Sequence, residues 1–235
     1  MGSDVIAHFE TGVYRRNATF LGDEEYGRAL DALVKACADV LMRDTETGEI
    51  LIMRRIVHPQ PDWWFVGGRM KAGDTPLAAA AKNVKRETGL ELPPERFTPL
   101  CTMSMLWQKR KQEPADNGTA DISVVFLVGV TPQERAALAM DGAEYDASAW
   151  LPPRDVTGGD GYHPALRRRG RGRVGAAQSI VAHEAYARLE AALASAAGDA
   201  AVAAAAAELV AAKGAAAAME ALPVPFAELR PGAGA

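Results

Sequence analysis

Apolar positions along the chain recur at two different spacings, and these spacings predict the order of the elements. Between residues 19 and 36, apolar side chains follow Asp23 at helical intervals, which predicts an N-terminal helix. The runs 38–44 and 49–55 are rich in branched and long apolar residues on either side of a Gly-containing turn, which is typical of a β-hairpin. The folded core is therefore expected to begin near residue 38.

A helix with complete end signals follows a short aromatic strand. The run WWFVGG, residues 63–68, predicts a strand that ends in paired glycines. Thr75 is then a candidate N-cap, Pro76 occupies the first helical position, and Gly89 is a suitable C-terminal stop. A strand, a glycine turn and a capped helix therefore follow one another directly.

The second half of the chain continues the alternation. Strands are predicted at 97–106 and 120–130, with a further strand ending near Trp150. Residues 156–173 are rich in Gly and Arg and are predicted to form a long loop.

Helical spacing returns at residues 176–194. Beyond Gly198 the alanine-rich tail predicts a marginal helix or partial disorder, and the last 13 residues, PVPFAELRPGAGA, look unstructured.

Composition narrows the class of protein. A chain of 235 residues has room for one sizeable core with extensions. Its 26 basic and 30 acidic residues argue against a general nucleic-acid binder. Cys37 and Cys101 are too few for a disulfide framework and favour a reducing compartment. The start of the chain shows no signal segment and no run is apolar enough to span a membrane, so a cytoplasmic protein is expected.

The segment GGRMKAGDTPLAAAAKNVKRETGLEL, residues 67–92, resembles the Nudix box, G-x5-E-x7-R-E-U-x-E-E-x-G-U, where U is aliphatic. Counted from Gly68, every spacing is kept. The positions that agree in type are Gly68, Val84, Glu87, Gly89 and Leu90, and same-charge replacements stand at Asp74 and Lys82. Asn83 and Arg86 stand where the family has acids, so the box is degenerate.

This resemblance implies a fold and a division of the chain. The expected fold is the α/β/α sandwich of Nudix proteins, built on a mixed sheet, with an added N-terminal helix and a C-terminal helical extension. The expected boundaries are an N-terminal arm and helix at 1–37, a Nudix domain at 38–172, and a C-terminal helical, Ala-rich extension at 173–235.

One branch of the family, the GDP-mannose mannosyl hydrolases, is similar over further segments. The shared stretches are WFVGGR at 64–69, LWQ at 106–108 and NGTAD at 117–121. This branch also loses the second and third acids of the box and keeps the last. Its members use one Mg²⁺ and cleave at the sugar carbon with inversion.

The box helix predicts a weak cation site. On a helix, Asn83, Arg86 and Glu87 share one face, and their charges sum to zero, so at most one hard cation is expected there. The resemblance implies a metal held by the Gly67 carbonyl, Glu87 and Glu144, with Mg²⁺ expected and Mn²⁺ as the alternative. A carboxylate at the rim of the site is the alternative role for Glu144.

Other residues complete the predicted site. Arg69 and Arg86 are expected to neutralise charge on a leaving diphosphate. Trp63 and Trp107 are both expected to stack on a base or sugar. His163 lies in a loop that would close over the site, although a lone loop histidine is more often merely exposed. Tyr145 stands where the branch has its basic histidine, but an ordinary phenol pKa of about 10 makes it a poor base, so the base stays unassigned.

These inferences lead to a specific hypothesis. We expect a Mg-dependent hydrolase, acting as a homodimer, on a small-molecule substrate: a nucleoside diphosphate linked to another group, most simply a nucleotide sugar. Attack at carbon or at phosphorus is left open. The alternative is a catalytically degenerate Nudix-fold module that binds nucleotides or regulates, and a metal-independent enzyme of the same fold is a third reading.

Overall fold

The computed structural model describes most of the chain, in two compact units. The described residues are 6, 8–17, 19–59, 61–159, 161–167, 175–194 and 199–213. One unit ends at Trp150 and the other begins at Leu151.

The first unit contains seven strands among its described residues and three α-helices between them. The strands are β1 (Lys35–Asp44), β2 (Ile50–Arg55), β3 (Trp63–Trp64), β4 (Val66–Arg69), β5 (Phe97–Trp107), β6 (Thr119–Val130) and β7 (Tyr145–Leu151). The helices are α1 (Asp23–Ala32), α2 (Pro76–Thr88) and α3 (Pro132–Ala137).

The sheet is mixed, as predicted, and β1 lies at its centre. It runs parallel to β6, with Lys35 opposite Asp121, and antiparallel to β2 and β4. The order is β3-β2-β1-β6-β5, while β4 pairs with β1 and β7 pairs with β2. Strand β1 therefore contacts β4 on one side and the longest strand, β6, on the other. The predicted glycine turn is wrong, because Gly67 and Gly68 lie within β4 and pair with β1.

Helix α2 packs on this sheet through small and branched side chains. Ala79, Ala80 and Val84 are buried in one cluster with Val40 and Met42 of β1. Burial of such side chains stabilises each contact by the apolar surface that it removes from water. The packing fixes the polar face of α2 against Gly67 and Gly68 of β4.

The predicted ends of α2 are confirmed. The Thr75 side chain accepts a hydrogen bond of 3.1 Å from the amide of Ala78, and Pro76 is the first helical residue. Gly89 ends the helix with φ of 73°, and its amide donates to the Lys85 carbonyl. The local signals therefore suffice to place this helix.

Two predicted boundaries are wrong, one because sheet pairing extends a strand and the other because a short helix begins in the predicted loop. The N-terminal helix ends at Ala32, and β1 begins at Lys35 because that residue already pairs with β6. In the predicted loop 156–173, the first residues belong to a short helix, α4 (Pro153–Gly158).

The second unit contains α4 and two longer helices, α5 (Ala176–Ala194) and α6 (Asp199–Lys213). The predicted helix at 176–194 is confirmed. Helices α5 and α6 pack through Ala182, Ala185 and Leu209. The alanine-rich segment is thus helical as far as its described residues reach, whereas the predicted unstructured end lies outside them. Within the described ranges, no helix has the length and apolar character that crossing a membrane requires.

Candidate active site

A cleft of about 330 Å³ opens beside β1 and the paired glycines of β4. Three kinds of side chain line it, namely cations, carboxylates and aromatic rings. The cations are Lys35, Arg55, Arg69, Lys71 and Arg86; the carboxylates are Asp39, Asp121 and Glu144; the aromatic rings are Tyr26, Trp64 and Trp107. Positive charge in excess of negative charge makes the cleft suited to an anionic ligand.

Gly67 brings bare backbone to the edge of this cleft. It pairs with Asp39 across β4 and β1. A Cβ at Gly67 would lie 2.0 Å from Oδ1 of Asp39, which no side chain tolerates. A glycine at position 67 is therefore required by the close approach of the two strands.

Asn83 connects helix α2 to strands β1 and β4. Its side chain is buried, and its amide donates to the carbonyls of Ala38, at 3.0 Å, and Gly68, at 3.1 Å. Because two carbonyls fix the amide nitrogen, the amide oxygen must point the other way, where it accepts from Arg86 at 2.7 Å. Asn83 is thus a positioning residue for the guanidinium.

Glu87 lies fully buried beneath the cleft with both oxygens bonded. Oε2 accepts from the amide of Gly67, at 3.1 Å, and from the hydroxyl of Tyr145, at 2.6 Å. Oε1 accepts from Arg86. Burial raises the pKa of Glu87 above its ordinary value, and the bonds from Tyr145, Arg86 and Gly67 counter part of that rise.

Tyr145 acts as a donor in this arrangement. Its side chain is buried, and burial together with the neighbouring Glu87 raises the pKa of the phenol well above its usual range. The hydroxyl therefore keeps its proton at neutral pH, in agreement with the sequence argument against Tyr145 as a base.

Asp39 is a site residue that the sequence reasoning missed. Its carboxyl is buried at the cleft and accepts a hydrogen bond from Ser123. Burial raises its pKa to about 7, although Ser123 and the nearby Arg55 act in the opposite direction. A lone acid inside the apolar run ADVLMRD was the available signal, since an acid in a buried strand needs a polar reason to be there.

Arg55 was also missed, and it explains the aromatic wall. Its guanidinium lies 5.2 Å from the ring centroid of Trp64 and 5.8 Å from that of Trp107, and burial lowers its pKa. The indole of Trp107 donates to Asp121 at 2.8 Å, and Asp121 pairs with Lys35 at 2.8 Å. The ring of Trp107 is therefore held in a fixed orientation.

The predicted site residues are distributed unevenly. Gly67, Arg69, Arg86, Trp107 and Glu144 line the cleft, and Glu87 supports it from below. Trp63 is half-buried, pairs with Arg54 in the sheet and is not among the residues that line the cleft. His163 belongs to the second unit, where its ring is buried and Nδ1 accepts a hydrogen bond from the Ala165 amide at 3.1 Å.

Two of the three predicted metal donors, Gly67 and Glu87, are engaged in other bonds. The Gly67 carbonyl accepts from Arg86 at 3.2 Å, and both oxygens of Glu87 are used as described above. Among the residues that the structure describes, no group of three or more His, Cys, Asp or Glu side chains is placed to hold a metal ion. Mg²⁺ prefers an oxygen shell rich in carboxylates, so this donor set does not fit it.

Comparison with known proteins identifies the family. The model of the NUDIX domain matches residues 34–170. Octanoyltransferase of Myxococcus xanthus is 30% identical over 102 residues, which cover 43% of this chain and 26% of that protein. This chain thus spans about a quarter of the length of that relative.

Solved structures with similar folds have low sequence identity. A MutT/nudix family protein from Enterococcus faecalis is 16% identical with a TM-score of 0.40, covering 50% of this chain and 43% of that one. Dihydroneopterin triphosphate pyrophosphohydrolase from E. coli is 22% identical with a TM-score of 0.43, covering 58% and 90%. The paired glycines of β4, the capped helix and the cleft residues from Lys35 to Glu144 lie within the matched range. The chain therefore belongs to the NUDIX domain family.

Proposed function

We propose that the chain hydrolyses a nucleoside diphosphate linked to another group, with nucleotide sugars as the substrate class. The observation that carries the proposal is one cleft that is lined by Arg69, Arg86 and Glu144. Two guanidiniums suit a diphosphate, and a carboxylate suits activation of water. Membership of the family supports a hydrolase.

Each cleft residue has a role in this reaction. Arg69 and Arg86 neutralise the charge that grows on the diphosphate as it leaves. Arg69 is oriented for this by the ring of Tyr26, whose centroid lies 4.4 Å from its guanidinium carbon. Trp107 offers an aromatic edge beside a base or a sugar.

Glu144 is the proposed general base. It is half-buried at the cleft, and within the described residues its carboxylate forms no hydrogen bond or ion pair. It would take a proton from water as the water oxygen bonds to the sugar carbon and the bond from that carbon to the diphosphate oxygen breaks. The replacement of box acids by Asn83 and Arg86 favours this attack at carbon over attack at phosphorus.

A second function is a binding or regulatory module without turnover. The observation in its favour is that Asn83 and Arg86 stand where the box has acids, and that Glu87 has both oxygens bonded. Such a module would use the same cations to hold the diphosphate. It differs from the hydrolase only in having no product.

A panel of nucleotide sugars and dinucleoside diphosphates tests both functions. Products are followed by ³¹P NMR, with and without Mg²⁺, for the wild-type chain and for Glu144→Gln. The matched control is Glu91→Gln, a change at an exposed glutamate outside the cleft. Turnover that only Glu144→Gln loses supports the hydrolase, and tight binding without product on the whole panel refutes it. A reaction in ¹⁸O-labelled water locates the attack by the product that carries the label.

Location and assembly are proposed from the sequence and the surface. Free Cys37 and Cys101 are consistent with the cytoplasm. Exposed Phe20, Leu33 and Val34 on either side of α1 are suited to a homodimer contact. Analytical ultracentrifugation of the wild-type chain and of Phe20→Ser tests the dimer, which would be excluded by a monomer at all concentrations.

A further inference from the structure

The guanidinium of Arg86 lies among three oxygen acceptors. Its Nη1 donates to the amide oxygen of Asn83, and its Nη2 donates to the Gly67 carbonyl and to Oε1 of Glu87. An amide oxygen, a backbone carbonyl and a carboxylate are the ligands that a hard divalent cation would use. In this chain the three oxygens instead bind the guanidinium of Arg86, which is itself a cation.

Neighbouring hydrogen bonds fix the side chains that accept from Arg86. Asn83 cannot turn, because two carbonyls hold its amide nitrogen. The carboxylate of Glu87 cannot turn either, because the Gly67 amide and Tyr145 hold its second oxygen. Two of the three acceptors are therefore oriented toward Arg86 by bonds that do not involve Arg86.

The surroundings of Arg86 favour anions over a second cation. Arg86 lies on the wall shared by the first cleft and a second one of about 310 Å³. The ionisable side chains along the second cleft are five cations and one carboxylate, namely Arg16, Arg69, Lys71, Lys82 and Arg86 with Asp74. Lys82 and Arg16 already pair with Asp74, at 2.6 and 3.4 Å. A divalent ion placed on the side of the second cleft would meet strong repulsion.

The guanidinium keeps donors for a ligand. Its side chain is 46% exposed at the cleft, and the three bonds named above use three of its five N–H groups. The two that remain, on Nε and Nη1, are open to phosphate oxygens, each as a single charge-assisted donor.

We propose that Arg86 supplies the positive charge that a divalent metal supplies in other members of this family, so that the cleft binds a diphosphate without metal. The ligand class rests on the proposed function, whereas the absence of a metal requirement rests on the bonds of Arg86. In this arrangement Asn83 and Glu87 are positioning residues for a guanidinium and are not metal ligands.

Mn²⁺ binding by the wild-type chain is the first test. Electron paramagnetic resonance of free Mn²⁺ is expected to show no saturable site. Arg86→Glu, which places a carboxylate beside Glu87 and the Gly67 carbonyl, is expected to gain one. A single Mn²⁺ site in the wild-type chain that Glu87→Gln removes would overturn the proposal without need of any Arg86 variant.

Calorimetric titration with inorganic pyrophosphate in EDTA is the second test. Binding is expected without metal and is not tightened by Mg²⁺. Arg86→Ala weakens it by about tenfold or more, because a charge-assisted bond is lost. The control Lys85→Ala, at an exposed neighbour on the same helix, leaves binding unchanged, and Arg86→Lys lies between because it keeps the charge and loses the fork.

The outcomes separate this proposal from the proposed function. Metal-free binding of pyrophosphate that depends on Arg86, without turnover of any nucleotide, supports the role of Arg86 and refutes the hydrolase. Turnover that strictly requires Mg²⁺, with pyrophosphate bound only when Mg²⁺ is present, supports the hydrolase and overturns the role of Arg86.

Discussion

The hydroxyl of Tyr145 donates a 2.6 Å hydrogen bond to Oε2 of Glu87, which joins residues 58 positions apart in the sequence. The bond links β7 to the end of α2. The phenol supplies an uncharged hydrogen-bond donor to the buried side chain of Glu87. The bond therefore holds both side chains in position.

Tyr145→Phe is therefore expected to lower the free energy of unfolding by about 1 to 3 kcal/mol, since it leaves a buried charged group with one donor fewer. Urea unfolding followed by tryptophan fluorescence measures the change. Tyr14→Phe, at an exposed tyrosine, is the control and should have no effect. An equal loss in both variants would show that the bond contributes nothing specific.

Asn83→Ala is expected to cost a similar amount, about 1 to 3 kcal/mol, because it strands the carbonyls of Ala38 and Gly68. It also releases Arg86 from its amide partner, so pyrophosphate affinity falls together with stability. Asn17→Ala changes an exposed asparagine and is the matched control. Unchanged pyrophosphate affinity in Asn83→Ala would contradict the positioning role of Asn83.

Gly67→Ala is expected to disturb the cleft as well as the fold. The new methyl group would meet Oδ1 of Asp39 at 2.0 Å, so β4 must move away from β1, at a cost of about 1 to 3 kcal/mol or more. Thermal unfolding and turnover on the best substrate of the panel measure the two effects. Gly142→Ala, where a Cβ meets nothing within 4 Å, should leave both unchanged.

Asp39 predicts a pH dependence of stability. Its pKa is about 7 in the folded chain and 3.8 in the unfolded reference, so the folded state binds the extra proton between those values. Its contribution is fully present below about pH 4 and is lost as the pH rises to about 7. Asp39→Asn removes this loss, and its stability relative to wild type should therefore increase over that range and level off above it.

The control for this titration is Asp146→Asn. Arg54 lowers the pKa of Asp146 through a hydrogen bond of 2.7 Å, so that carboxyl is charged in both states between pH 5 and 7. Its variant should show no change of relative stability there. A flat profile for Asp39→Asn over the same interval would refute the assignment.

Local signals in the sequence account for what was predicted correctly. The caps of α2 at Thr75 and Gly89, and the spacing of the box from Gly68, depend on residues close together in the chain. They need only backbone preferences and short-range hydrogen bonds. For this reason the sequence alone predicts the helix, its polar face and the acid at its end.

Long-range pairing accounts for what was missed. Asp39 reaches the site because β1 lies between β4 and β6, and no spacing in the sequence reveals that position. Whether Trp63 and Trp107 reach the cleft depends on the direction of side chains in a two-residue strand and in β5, which ends 44 positions after Trp63. The direction taken by the side chain of Arg86 likewise depends on carbonyls contributed by another element.

The parallel pairing of β1 with β6 also has a consequence for how the molecule forms. Asp39 meets Ser123 from 84 positions away, so the cleft has a high contact order and its charged floor is completed only after a long loop has closed. A nascent chain that ends before residue 119 would hold the complete box helix and yet lack one wall of the site. Ligand binding should therefore appear in one step with global folding during synthesis, which places this cleft among the last features of the domain to become functional.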